Sequence, residues 1–326
     1  MSTIDDGAAV KLGTNAKFGL AEESEYGTRV APTRSMEARS EGFTEERQRL
    51  ESQALRAQSF QPRWAEGSIS VDGDMTFELP NQGFGLLLEH ALGGVATTED
   101  VAGQVYRHTF TPDDLQTKHL TVQVVMDDVT KDIVSAKVGS LQIQCSTDEI
   151  ATATVSFIGR ELLVGETAHD DAFPSDLQLL TFVHGSLSIA GDEVAVSSVD
   201  ATLDNGLEAD RRRLGSKLRR NPQRTAFRDF TGSFEADFED LTLYNRYRNG
   251  DEATLVLEFE GPEIPDNAGE FYTLTITANV RFDGETPTVD GPDEIRQSMS
   301  FKAMPTEADG DEGALKVEYV TTDATP

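Results

Sequence analysis

GSLQIQCSTDEIATATVSFIG, residues 139–159, decides the fold class. Leu141, Ile143 and Cys145 alternate with Gln142, Gln144 and Ser146. After a polar turn, Ala151, Ala153, Val155 and Phe157 alternate with Thr152, Thr154 and Ser156. A period of two, with one apolar and one polar face, is the pattern of half-buried antiparallel strands. TLTITANVRF at 273–282 repeats it, as do HLTVQVV, ATLVLEFEG and SMSFKAM, each bounded by Gly, Pro, Asn or Asp. The expected fold class is therefore mainly β.

Outward from that stretch the chain echoes itself. GSISVDGD at 67–74 returns as GSLSIAGD at 185–192, GSLQIQ at 139 returns more loosely as GSFEAD at 232, and ATATVSFIG at 151–159 returns as ATLVLEFEG at 253–261. Three matches in one order predict a duplicated β-unit, with halves at 66–168 and 169–305, the second carrying a long basic loop at 205–228. Residues 1–65 read as an N-terminal arm and 306–326 as an acidic C-terminal tail.

Two helices are expected. In NQGFGLLLEHALGG, residues 81–94, Phe84, Leu87, Leu88, Ala91 and Leu92 fall on one helical stripe that Gly93 and Gly94 end. In EGFTEERQRLESQALRA, residues 41–57, Thr44 is placed to cap a helix with Glu45 and Glu46 in its first turn. Phe43, Leu50 and Ala54 then lie close to one stripe, which makes Phe43 and Leu50 the candidate contacts of the arm.

The 326 residues carry 58 acidic and 28 basic side chains, a formal net charge of -30. Such a chain does not grip phosphate over a broad surface, because nucleic-acid binders depend on Lys and Arg to displace counterions. Dense carboxylates keep a surface hydrated and suit a salt-rich cytoplasm, so a halophilic origin is expected. MSTIDDGAAVKLG has no basic-then-apolar leader pattern, and no stretch is long and apolar enough to cross a bilayer, so neither secretion by signal peptide nor a membrane role is expected.

No catalytic constellation stands out. His90, His108, His119, His169 and His184 show no metal-ligand spacing, the single Cys145 excludes an intrachain disulfide, and there is no phosphate loop or nucleophile elbow. No enzyme activity, cofactor or metal is expected. Two other features carry information. In GSFEADFED, residues 232–240, Phe234, Ala236 and Phe238 face one way while Glu235, Asp237 and Glu239 face the other, giving either a solvated outer face or a smooth negative lining. RRRLGSKLRRNPQR, residues 211–224, gathers Arg211, Arg212, Arg213, Lys217, Arg219, Arg220 and Arg224 without one carboxylate. It reads as a solvated loop, a DNA contact or a patch that docks on acidic protein surface.

Together GSISVDGDMTFELPNQGFGLLLEHALGG, YRHTFTPDDL, GSLQIQCSTDEIATATVSFIGRE, SVDATLDNGLEADRRRLGS and FTGSFEADFEDLTLYNRY resemble the tail tube (major tail) proteins of long-tailed, siphovirus-like double-stranded DNA viruses. The resemblance runs from about Phe18 to Met304. It implies duplicated tube-type β-sandwich or partial-barrel units with short flanking helices, closing into rings that stack head-to-tail into a conduit for genome ejection. It further implies residence in the virion tail after assembly in the host cytoplasm, other tail proteins at the tube ends, and DNA that passes without specific binding. Two units per chain favour homotrimeric, pseudo-hexameric rings over homohexamers. On this reading Glu235, Asp237 and Glu239 line the lumen and the basic loop reaches a neighbouring subunit or ring. The competing expectation is a monomeric β-sandwich module that binds carbohydrate or decorates a capsid, for which one Trp and six Tyr offer little aromatic platform.

Overall fold

A computed structural model describes residues 11–174, 176–284, 286 and 295–326. In chain order the first half contains β1 (Ala16–Glu22), β2 (Arg34–Met36), β3 (Ala38–Glu41), β4 (Thr44–Glu51), β5 (Trp64–Glu78) and α1 (Gly85–Leu92). Then come β6 (Gly93–Val101), β7 (Val105–Pro112), β8 (Leu120–Met126), β9 (Val129–Ser146), β10 (Thr152–Gly159) and β11 (Glu161–Val164). The second half contains β12 (Gly185–Ile189), β13 (Asp192–Glu193), β14 (Val196–Asp204), β15 (Leu207–Glu208), β16 (Gln223–Arg224) and β17 (Asp229–Asp237). It ends with α2 (Thr242–Asn249), β18 (Glu252–Glu263), β19 (Phe271–Gly284), β20 (Arg296–Ala303), α3 (Asp311–Ala314) and β21 (Leu315–Thr321).

The protein is mainly β, and nearly all pairing is antiparallel within one branched sheet. Its main layer runs β5–β10–β9–β14–β17–β20–β19–β18–β12. Two long strands also serve a second layer. The first half of β9 pairs with β8 and β11, and β8 continues to β1 and β2. The first half of β19 pairs with β21, which continues to β7 and β6. Apolar faces of the layers meet in one core, with α1 inserted so that Leu86, Leu87 and Leu88 are all buried. Gly93 ends α1 at φ +101°, where a Cβ would also stand 2.9 Å from the Asp113 carbonyl.

Where β9 passes between layers, Ser135 adopts φ +52°, costly for a residue with a Cβ. Buried Glu23, just beyond β1, holds it there: its carboxylate accepts the Ser135 N–H at 2.8 Å, the Ser135 hydroxyl at 2.5 Å and the Thr121 hydroxyl at 2.6 Å. The paired partners thus offset both the strain and the burial of a charge.

Two expectations are corrected. Residues 44–51 form strand β4 rather than a helix, paired with β5 from Thr44 opposite Asp72 to Glu51 opposite Trp64. One eight-residue stretch with Leu50 as its only large apolar residue cannot meet the cost of helix nucleation, whereas β5 satisfies its backbone groups directly. From residue 11 on, the N-terminal arm packs on the body, since β1 places Phe18, Leu20 and Ala21 in the interior. The acidic tail becomes α3 and then β21, whose Leu315, Val317 and Tyr319 are buried between β19 and β7. Helix α2 was not anticipated.

The matched strings occupy defined places. GSISVDGD lies on β5 beside β10, and GSLSIAGD begins on β12 beside β18, at opposite ends of the main layer. Their registers differ, with Phe157 opposite Gly73 and Phe259 opposite Gly185. GSLQIQ on β9 and GSFEAD on β17 flank the same strand, β14.

Burial of His90 on α1 lowers its pKa from 6.5 to about 4. His119 and His169, also buried, shift in the same direction for the same reason. These histidines stay neutral in the fold while the unfolded chain takes up protons below about 6.5, so stability present above that pH is lost as pH falls toward 4. Denaturant titrations should show a loss on the order of 3 kcal/mol from His90 over this range. His90→Leu should flatten that portion of the pH profile, and an unchanged profile would refute the assignment.

Candidate functional site

Along the main layer the polar face is continuous. One row runs Thr76, Thr154, Gln142, Thr202, Thr231, Lys302 and Arg281 on successive strands. The next runs Glu78, Thr152, Gln144, Asp200, Ser233, Ser300 and Asp283. Hydroxyls and amides link the strands, as where Thr76 and Thr154 hydroxyls meet at 3.2 Å and Gln142 donates to Asp200. Cations that reach the face on β19 and β20 are paired with carboxylates: Arg296 with Glu235 at 3.6 Å, Lys302 with Asp229 at 2.6 Å, and Arg281 with Glu252 at 2.7 Å.

Glu235 and Asp237 point to this face from β17, opposite buried Phe234 and Ala236. Glu239 does not continue the row. The strand stops at Asp237 because Asp240 accepts the Thr242 N–H at 2.6 Å and starts α2, a bond that also holds the Asp240 carboxyl below its usual pKa. Glu239 instead shares a cavity of about 210 Å³ with Asp192, Glu193, Asp237, Asp240 and Arg246.

The basic segment divides into two sets. Arg219 is 3% exposed and forms a bidentate pair with Asp72 at 2.6 and 2.8 Å while donating to the Gly159 carbonyl at 3.0 Å. Lys217 pairs with Glu66, its carbonyl accepts the Ile69 N–H at 2.9 Å, and Arg212 donates to the Ile69 carbonyl at 2.9 Å. Arg211 donates to the Asn221 carbonyl at 2.9 Å. Beneath them buried Lys137 donates to the carbonyls of Leu115, Gln116 and Pro222, and burial lowers its pKa to about 8. Arg213, Arg220 and Arg224 are exposed, as is Leu214 at the tip, and none of the three arginines has an ion pair among the described residues.

What the first set braces is the hairpin of β4 and β5. Its outer part has β4 on one side of β5 and the basic segment on the other. Phe43 at its base is buried and packs on Phe157, with ring centroids 5.8 Å apart. Leu50 is exposed, as are Leu55, Phe60 and Trp64 around the turn, and Arg49 lies over the Trp64 ring at 4.8 Å. Sequence reasoning missed this hairpin, although Gln61-Pro62 before an alternating run is a turn signal.

The described residues thus form an extended two-faced sheet with open ends and a hairpin of exposed side chains, and hold no converging metal-type cluster. Residues 13–303 match the family described as phage tail tube protein. The chain belongs to that family. No curated protein matches it significantly. Tail tube proteins are structural components of the phage tail, not enzymes, and no described helix is long and apolar enough to cross a membrane.

In this tail tube protein Arg219 should be the main side-chain tie between the basic segment and β5, beside the β5–β10 ladder. Arg219→Ala is expected to cost about 1–2 kcal/mol, since it leaves the Gly159 carbonyl without its donor while half-exposed Asp72 turns to water, and Arg220→Ala stays within about 0.5 kcal/mol. Urea unfolding at fixed salt separates the two, and equal effects would sink the assignment.

Proposed function

We propose that copies of this chain close into rings through the open ends of the main layer, and that the rings stack head-to-tail into a tube conducting double-stranded DNA. The observation that carries this reading is the polar face. Its rows are hydroxyl, amide and carboxylate, and its cations on β19 and β20 are matched by acids. A lining of that kind offers phosphates no unpaired cation to hold them, and Glu235 and Asp237 add net negative charge. Ring closure also removes the uncovered edges at β3–β4 and β12–β13, which would otherwise pair indiscriminately.

Similar strings at the two ends of the layer support a chain with two tube units and hence a trimeric, pseudo-sixfold ring, with the homohexamer as the alternative. The exposed set Arg213, Leu214, Arg220 and Arg224 then serves contacts between subunits, pairing with the carboxylate-rich surface of a neighbour. Other tail proteins cap the ends, and DNA passes without sequence recognition. The charge of -30 suits assembly in concentrated salt, where a screening length of about 3 Å removes repulsion between copies, in keeping with a virus of a halophilic host and a long flexible tail.

Electron microscopy of the purified protein in molar salt is expected to show rings or tubes, and mass measurement of a single ring to give three chains. Persistent monomers would reject the reading, and six chains would reject the trimer alone. Reversing Arg213 and Arg220 to Glu should slow tube growth at least tenfold at moderate salt without changing the unfolding midpoint. Unchanged growth would exclude this arginine contact.

A further inference from the structure

We infer that the tip of the β4–β5 hairpin, residues 52–63, docks in a groove on a second copy of this chain, between the 224–230 segment and the 303–315 turn. This rests on the tube reading above. Both surfaces are apolar and uncovered in the single chain. Leu55 and Phe60 on the tip are 98% and 87% exposed. The groove, with a volume of about 880 Å³, is walled by Pro112, Leu203, Phe227, Phe230, Met304 and Leu315, and Phe227 itself stands exposed at its rim. Exposed aromatic and aliphatic side chains on a hairpin that is held rigid from both sides call for a partner surface.

Charge selects the occupant. Between Ser52 and Ala65 the tip carries Arg56 and Arg63 and no carboxylate, an anomaly in so acidic a chain. The 303–315 turn at one side of the groove carries Glu307, Asp309, Asp311 and Glu312 and no Lys or Arg between Ala303 and Leu315, and Asp311 lines the groove itself; on the facing side stand Arg224 and Arg228, while Lys302 is paired with Asp229. The cationic tip is complementary to the acidic turn, so Arg56 and Arg63 face that side of the groove and not Arg224 and Arg228, and the apolar groups are shielded on docking. A third feature agrees. The Nε of Arg228, which lines the groove, is buried and has no acceptor among the described residues, so a backbone carbonyl delivered by an incoming turn would satisfy it.

The tip cannot fill its own groove, since Leu55 and Phe60 remain almost wholly in solvent while Arg212, Lys217 and Arg219 fix the arm to the body. The eight residues of β4 give the arm a reach of roughly 27 Å.

The experiment is disulfide trapping in assembled protein. A Phe60→Cys/Phe227→Cys chain, oxidised after assembly in molar salt, should give a covalent ladder on a non-reducing gel, with Phe60→Cys/Ser233→Cys as the control that gives none. Phe60→Asp, which alters a solvent-exposed residue and leaves the fold intact, should raise the protein concentration needed for tubes at least tenfold. If rings and tubes form but neither effect appears, the groove assignment is wrong and the tube reading stands. A ladder of equal strength in the control also refutes the specific docking. If the unmodified protein forms no assemblies at all, both fall together.

Discussion

Everything in this molecule hangs on keeping the polar and apolar faces of nine strands in register. A slip of one residue in any strand would turn its apolar side chains to the polar face, so the row from Thr76 to Arg281 exists only because each neighbour is fixed. Gly232 shows how tightly. It sits on the apolar side of β17, where a Cβ would come within 2.2 Å of the Asp200 carbonyl and 2.4 Å of the Phe301 ring. The packing of Phe301 against Phe230, centroids 5.9 Å apart, uses the space the missing side chain leaves. The same register that fills the core therefore lays out the opposite face, and the two cannot vary independently.

That coupling explains which parts were legible in the sequence. Strands β9, β10, β17, β19 and β20 announce themselves because each has a core on one side, and α1 does so because its stripe is buried. β4 has no core side: seven of its eight residues are exposed, so neither a two-residue nor a helical period marks it. β21 was hidden by the acidic turn that precedes it, although LKVEYVT alternates over a short span. α2 carries only partly buried Leu243 and Tyr247 among polar residues, too weak a stripe to read. Phe43 was named as a contact for a helix and makes its contact from the base of a hairpin instead.

The basic segment shows the other limit. Its abundance of arginine was plain, but its partners lie far away in the chain: Asp72 is 147 residues from Arg219 and Glu66 is 151 from Lys217. No local pattern reports such distances. Only the fold divides the cluster into cations that satisfy the chain's own carbonyls and carboxylates and cations left in solvent. Buried Arg219 keeps its pairing in salt, whereas the exposed Lys217–Glu66 pair and the second set are screened in brine as long as no other surface covers them.

On the proposed tube reading, this difference bears on how an acidic conduit can work at all. In dilute salt a carboxylate wall repels DNA at a distance, and the same charge repels neighbouring copies from one another. In molar salt both repulsions shrink to contact range, so assembly becomes possible just where electrostatic guidance of DNA is lost. What then remains of the lining is chemical: hydroxyl and amide groups that hold water, and cations already claimed by Glu235, Asp229 and Glu252. On that reading the three pairs, each about half exposed, are weakened by salt, but the same screening weakens the hold of a freed cation on phosphate, so the wall does not become adhesive in brine. On that reading, pairing each cation locally instead of relying on excess negative charge lets a smooth lining and salt-driven assembly coexist.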